Sequence, residues 1–488
     1  MTVTRAVVFV WLALAGPFTV AVAVLVFRHR SWVLVAEVLA AGLVLVGGCG
    51  LLASTTGPGT TPVRALGGML RVDALAAYLL VVVGAVGLTA TWAGLDRRRA
   101  SSRHGSRYAT LVCLFLTAMV LAVVADDLGV TWVAVEATTI ATAFLVGHHG
   151  GRRAVEAAWK YVVLASVGVS IALLGLVLLY AATRAAGSPT LSWSQLTTHP
   201  PHLDPAVTRA GLALAALGFA TKAGLAPMHS WLPDAHSQAP GPVSGLMSGV
   251  LLAVAFGAVL RIERLDDALL GGTTVRWLVL AGGLLSLLVS AALVVTQKDY
   301  KRLLAYSSIE HMGLVAVGAA VGSPLALTAM LLHLLVHGLA KAGTFVMAGR
   351  ILAAEGSSAI ADVRALLRRR PALAVPFLAG GAVLLGLPPS GLFLTEAALV
   401  VAGFRSGLGW AAGAVLALVL VVFVGVGRHL VTMTLGAPST ATTPDGPSVA
   451  PAPVAPIALA LVASCVVAFV GPLAGVLTDV VAVLGRSA

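Results

Sequence analysis

His333, His337 and Lys341 recur every four residues in MLLHLLVHGLAKAGTFVMAG, a spacing that sets three proton-exchanging groups along one helix face over about 12 Å. Just upstream, QKDYKRLLAYSSIEHMGLVAVG carries Glu310 and His311, about two to three turns into its own apolar run. In TWVAVEATTIATAFLVG, Glu136 lies about ten residues, roughly 15 Å of helix, beyond Asp126. Lys222 closes an apolar run in LGFATKAGLAPMHSWLPDAHSQAPGPVSGLMSGVLL and is followed by Gly224, Pro227, His229, Pro233, Asp234 and His236. LLGLPPSGLFLTEAALVVAGF places Pro388 and Pro389 ahead of one acid, Glu396. Lys160 falls at the start of another apolar run.

An ionisable side chain in lipid costs several kcal/mol, so such residues face a protein interior or a hydrated path, and they mark proton relays. Histidine titrates near neutrality and passes a proton through either ring nitrogen. An opposite charge nearby favours a charged lysine and burial disfavours it, which lets a distant charge shift trigger proton release. Other readings are open at each position. Glu136 could fix packing against a neighbouring helix, and Lys222 could snorkel from a proline kink to the interface. Two histidines four apart could bind a metal, but no carboxylate or thiolate motif of metal-site type accompanies them. Pro227, Pro388 and Pro389 predict helix breaks, and irregular backbone at membrane depth requires protein or water around it.

The elements that hold these groups follow from composition. Hydrophobic types make up 59% of the 488 residues and charged types 10%, with a mean hydropathy of +1.00, whereas soluble domains carry about a quarter charged residues. The fold expected is all-α and polytopic, with about fourteen transmembrane helices, each an apolar run of about 20 residues. Two interrupted spans five helices apart suggest two inverted five-helix repeats with one broken helix each. The division expected is 1–107 for helices 1–3, 108–262 and 263–434 for the two halves, and 435–488 for a linker and last helix. Lys222 then corresponds to Glu396, and Glu136 to Glu310. The run from Ala6 to Phe27 reads as a first membrane helix rather than a cleavable signal.

The net charge of +12 sits in short loops, which reads as topology and attraction to anionic headgroups rather than nucleic-acid binding. One set of loops, including Arg28, Arg30, Arg97, Arg98 and Arg99, carries seventeen basic residues against ten on the other, Arg486 among them, which places both termini outside the cell membrane. Of five lysines only Lys298 and Lys301 fall in a loop; Arg428, like the other three, falls within a span. Cys49, Cys113 and Cys465 stand alone in apolar runs and are expected to be small buried residues without redox or metal roles. No cofactor-binding pattern or catalytic domain is legible.

The glutamate of the fifth helix, KYVVLAS opening the sixth, TKAGLAPMHSWLPDAHSQAPGPVSGLMSGVLL across the next two and QKDYKRLLAYSSIEHMGL entering the tenth resemble the proton-conducting antiporter-like membrane subunits. That family includes three subunits of respiratory NADH:quinone oxidoreductase, the Mrp cation/proton antiporters and group-four hydrogenase subunits. The resemblance covers helices 3 to 13. IEHMGL and GLPPSGLFLTE look most like hydrogenase-4 component F and its M-like relatives, and the chain ending soon after its fourteenth span is expected of a subunit without the lateral helix of the L type. The resemblance implies that Glu136 and Lys222 form a coupled ion pair, that the histidines and Lys341 continue the axis, and that Glu396 is its terminal charge. Ala253 stands where M-type subunits carry a lysine, a departure shared with the hydrogenase-type relatives.

The function expected is that of a proton-translocating subunit without a catalytic site of its own, in a hydrogenase or NADH:quinone oxidoreductase type complex. Its partners would be other membrane subunits, a peripheral redox arm and the lipid bilayer. The alternatives are an Mrp-type Na⁺(K⁺)/H⁺ antiporter subunit and a non-conducting scaffold.

Overall fold

A computed structural model describes residues 3–27, 32–95, 103–437 and 454–485. Arg28, Arg30, Arg97, Arg98, Arg99 and Arg486, and all but the first residues of the linker that begins at 435, lie outside them. The chain runs α1 (Val3–Val26), α2 (Val33–Thr55), a hairpin of β1 (Val63–Ala65) and β2 (Leu70–Val72), α3 (Ala74–Ala93), α4 (Arg103–Val124), α5 (Leu128–Val146), α6 (Arg152–Ala185) and α7 (Trp193–Thr198). It continues with α8 (Pro205–Lys222), α9 (Trp231–Gln238), α10 (Gly241–Leu270), α11 (Thr274–Val295), α12 (Tyr300–Val321), α13 (Pro324–Glu355) and α14 (Leu366–Arg369). The last are α15 (Pro371–Leu384), α16 (Gly391–Arg405), α17 (Gly409–Leu435), α18 (Val454–Val466) and α19 (Gly471–Val483).

Apolar runs become helices because lipid offers the backbone no hydrogen-bond partner. The few acids available are spent at the starts of these helices, where four amides lack intrahelical acceptors. Asp73, Asp127, Asp204 and Asp299 accept from the first-turn amides of α3, α5, α8 and α12. Gly322 and Gly356 close α12 and α13 in the left-handed conformation.

Among the described residues, eleven helices are long and apolar enough to cross a membrane, or twelve if α18 and α19, bent by 79°, form one span. The fourteen spans expected are thus not all continuous helices. The runs around Lys222 and Pro388 fold as shorter pieces, α8 with α9 and α15 with α16, because glycine and proline interrupt the backbone ladder. The peptide bonds Ala226–Pro227 and Pro388–Pro389 are both cis.

The helices that carry Glu310, His311, His333, His337 and Lys341 are among the innermost ones. The apolar windows of α10 and α12 are 100% and 94% buried, against 33% for α17, so groups on α12 and α13 face protein rather than lipid. Outer helices present Ile140, Phe144, Trp159, Leu288 and Leu420 outward. Cys49, expected to be buried, lies on this outer surface, whereas Cys113 is buried and Cys465 half-buried. The pattern of α2 fills its inward face with alanine, glycine and valine and leaves Cys49 on the opposite one.

Close backbone approach fixes the first half. A Cβ on Gly218 of α8 would stand 2.3 Å from Ala172 N of α6, and one on Gly175 would stand 2.4 Å from Ala215 N. Small residues at such a crossing let membrane helices pack by dispersion along their length. Gly218→Val overpacks it and is expected to cost about 3 kcal/mol, seen as a lower melting temperature and poor recovery of folded protein from membranes.

Polar contacts sort the helix ends onto two faces. On one, Arg261 forms a bidentate pair with Asp73 at 2.7 Å and lies 3.9 Å from the Trp193 ring centre. The Trp193 indole donates to Ala125 O, and Ser192 and Ser194 donate to Asp126. Burial alone would raise the Asp73 carboxyl, but Arg261 outweighs it and holds the group below the usual carboxylate range. On the other face, Arg302 and Lys160 meet Asp234 at 2.6 and 3.5 Å.

Candidate functional site

Lys222 is the last residue of α8 and is completely buried. Gly224 adopts φ +76°, the left-handed conformation that glycine enters freely, and the chain leaves the helix there. The Lys222 ammonium donates to Tyr161 Oη at 2.8 Å. Tyr161 in turn packs edge-on against Trp231 of α9 at 5.1 Å, and the Trp231 indole donates to Thr221 O at 3.0 Å. The two pieces of the broken span are therefore tied together around the lysine, which does not reach toward the interface.

Glu136 is half-buried on α5. Its carboxylate accepts from Ser166 Oγ at 2.7 Å and from Thr139 Oγ1 at 3.2 Å. It lies within Coulombic range of Lys222, but among the described residues no ion pair within 4 Å joins them. Tyr161, Thr139 and Thr142 occupy the region between, and the Thr142 hydroxyl is buried without a hydrogen-bond partner. Lys160, one residue from Tyr161, is half-exposed and pairs with Glu156 at 2.8 Å. Helical periodicity explains the contrast: adjacent residues point about 100° apart, so one faces Lys222 and the other the surface. Tyr161 stands in the KYVVLAS motif, and a phenol, both donor and acceptor, was the signal that attention to charge alone passes over.

The second half gathers on α12, α13 and α16. Thr395 Oγ1 donates to Leu392 O at 2.9 Å and lies 2.9 Å from His333 Nδ1; His333 Nε2 lies 3.1 Å from His311 Nδ1. His311, His333 and Thr395 thus form one continuous buried row in which each ring nitrogen donates or accepts according to its tautomer. The Leu384 backbone lies within hydrogen-bonding reach of the buried His311 ring. The His337 ring lies 4.8 Å from that of His311, tilted by 43°, and its Nε2 is buried and unpartnered.

Lys341, one turn beyond His337, is completely buried and donates to Leu304 O at 2.7 Å. The same carbonyl accepts from Ser308, whose hydroxyl is 2.8 Å from that of Ser248. Ser248 sits in a π-helical turn of α10, Met247–Leu251, just ahead of the buried Ala253. Glu310 is buried beside Lys341 and Glu396, within Coulombic range of both. The half-buried Glu396 lies over the break between α15 and α16, where a Cβ on Gly386 would meet its Oε2 at 2.6 Å. Gly386 itself adopts φ +63°, the left-handed conformation that favours glycine.

His229 is half-buried at the first break with Nδ1 unpartnered. His236, further along on α9, is completely buried, stacks on Phe345 at 4.7 Å and has neither ring nitrogen partnered. Lys301 caps the same helix through Ser237 O and Ala239 O at 2.9 and 2.7 Å. Pro227, Pro388 and Pro389 lie in the two breaks, as their sequence predicts.

A family model described as NADH:quinone oxidoreductase/Mrp antiporter, transmembrane, matches residues 125–422. The chain is 37% identical over 292 residues to a hydrogenase-4 component F homolog of Methylacidiphilum infernorum, covering 59% of this chain and 61% of that protein. It is 31% identical to NADH-quinone oxidoreductase subunit N of Desulforudis audaxviator, over 69% of this chain and 67% of that one. The chain thus spans about two thirds of the length of these relatives. In fold it is similar to a chain of the membrane-bound sulfane sulfur reductase, an archaeal respiratory membrane complex, with a TM-score of 0.84 at 24% identity over 99% of this chain and 98% of that one. A chain of the Mrp complex of a Dietzia species gives 0.85 at 21% identity, with 97% of each covered.

Proposed function

Because the chain belongs to the NADH:quinone oxidoreductase/Mrp antiporter family of membrane proteins, we propose that it conducts protons along the buried groups from Glu136 to Glu396, as one membrane subunit of a hydrogenase or NADH:quinone oxidoreductase type complex. The observation that carries this reading is the continuous buried row His311, His333, Thr395, with His337 beside it. A row of imidazoles accepts a proton at one end and releases one at the other, and then turns over by ring or water rearrangement.

Each half contributes a cation held by a single neutral acceptor, Tyr161 Oη for Lys222 and Leu304 O for Lys341. A buried ammonium with so little compensation responds strongly to the charge of a neighbouring carboxylate. Glu136 and Glu310 supply those carboxylates, which supports the two-half division at 108–262 and 263–434. The Ser248–Ser308 pair supplies hydroxyls leading toward Lys341. Electron transfer in a peripheral arm would move the first charge, and the others would follow. The face bearing Lys160, Asp234 and Arg302 is the cytoplasmic one in this reading, with both termini outside the cell membrane.

Respiring inverted vesicles that hold the intact complex test the ion. Electron donor should acidify their interior equally with sodium, potassium or choline as the bulk cation, and adding Na⁺ or K⁺ should leave a preformed pH gradient in place. A gradient that collapses on cation addition would instead identify the exchange activity of an Mrp-type subunit.

A further inference from the structure

We infer that α11 and α17 form a binding site for one anionic phospholipid on the outer surface, with Arg428 holding its phosphate. The sequence places Arg428 inside an apolar run, and no step of proton transfer uses it. Its guanidinium is exposed, donates through Nη2 to Val295 O at 2.5 Å, and has no acidic partner among the described residues. His429 Nε2 lies 3.3 Å from Val294 O, so the last turn of α11 anchors both residues at one depth. That depth is the membrane boundary, because α11 ends at Val295 and the polar Gln297, Lys298 and Asp299 follow. A guanidinium has five donors in a planar fork suited to phosphate oxygens, and the Val295 carbonyl occupies only one arm.

Below Arg428 runs a groove of ≈ 250 Å³ lined by Val295, Leu420, Val421, Val424 and Gly425. Leu420, Val421 and Val424 precede Arg428 by eight, seven and four positions, which is one face of α17 descending roughly 12 Å toward the bilayer centre. An acyl chain fits that apolar floor while its headgroup meets the cation at the top. Lys298, exposed three residues beyond Val295, adds a second positive charge at the same helix end. A zwitterionic lipid would bring its own cation to this place, so the charge selects an anionic headgroup.

The full chain, purified in mild detergent from membranes containing phosphatidylglycerol, tests the site by mass spectrometry of retained lipid and by melting temperature. The wild type should retain phosphatidylglycerol and be stabilised by adding it, but not by phosphatidylcholine or inorganic phosphate. Arg428→Leu should lower retention about five-fold, the affinity of one basic side chain at a membrane surface, and Arg428→Lys should keep most of it. Val424→Trp fills the groove without touching the charge and should also lower retention, which decides the matter if Arg428→Leu fails to fold. Wild-type retention in both Arg428→Leu and Val424→Trp overturns the proposal, as does equal stabilisation by both lipids or by inorganic phosphate. A protein partner found seated in the groove in place of lipid overturns it too.

Discussion

Lys222→Met abolishes coupled proton transport while the protein still folds and joins its complex. The side chain is buried from end to end and its ammonium makes one hydrogen bond, to Tyr161. Methionine has nearly the same length and flexibility, so the space between α6, α8 and α9 stays filled. Removing a buried charge that is not in contact with a counter-ion leaves no opposite charge stranded, since Glu136 keeps its bonds to Ser166 and Thr139. Replacing such a charge by an apolar group is neutral or stabilising, so the melting temperature should hold or rise. Transport is different, because methionine has no proton to exchange at the place where the ammonium meets Tyr161. Fluorescence quenching by a pH-sensitive acridine dye in vesicles measures the loss, and native electrophoresis checks assembly. Unchanged acidification at normal assembly would overturn the role given to Lys222.

Lys341→Met should be as severe and should act on the other half. Lys341 stands on the α13 face that carries His333 and His337, and among the described residues its hydrogen bond to α12 is to Leu304 O. That carbonyl keeps its bond from Ser308 when the ammonium is gone, so the substitution strands no buried acceptor. What is lost is the charge that answers Glu310. A positioned proton-transfer group is worth about 10²–10⁴-fold in rate, and the flux through the histidine chain should fall by at least about the lower bound of that range. The measurement is initial acidification rate per assembled complex, with electron transfer followed in parallel. A variant in which electron transfer continues while acidification stops places the lysine on the proton path. One that loses both in proportion does not separate the path from the redox step and contradicts this assignment.

Much of this was legible from residue types. The helical membrane class follows from 59% hydrophobic residues and from the length of the apolar runs, since lipid leaves the backbone one local solution. The buried Lys222, Glu310 and Lys341 were legible because charges are so rare in these runs that each one stands out. The breaks were legible because proline and glycine act through the backbone, whatever surrounds them.

Contacts across helices were not legible, and they altered the site. Glu136 and Lys222 lie within electrostatic range without touching, because Tyr161 stands with the threonines of α5 between them. Lys160 and Tyr161 are neighbours in sequence, yet the 100° turn of the helix sends one to the surface and one to the core. A pair of serine hydroxyls from α10 and α12, sixty positions apart in the chain, meets at the carbonyl that holds Lys341. The row of His311 and His333 ends on Thr395 of a distant helix. Periodicity and hydrophobicity are local and act on every sequence alike, so the sequence by itself determined which helices form, while Cys49, expected inside, lies on the outer surface. Partners are chosen by packing, where glycines such as Gly218 and Gly386 set how closely two elements approach, and only the tertiary structure decided which buried group meets which.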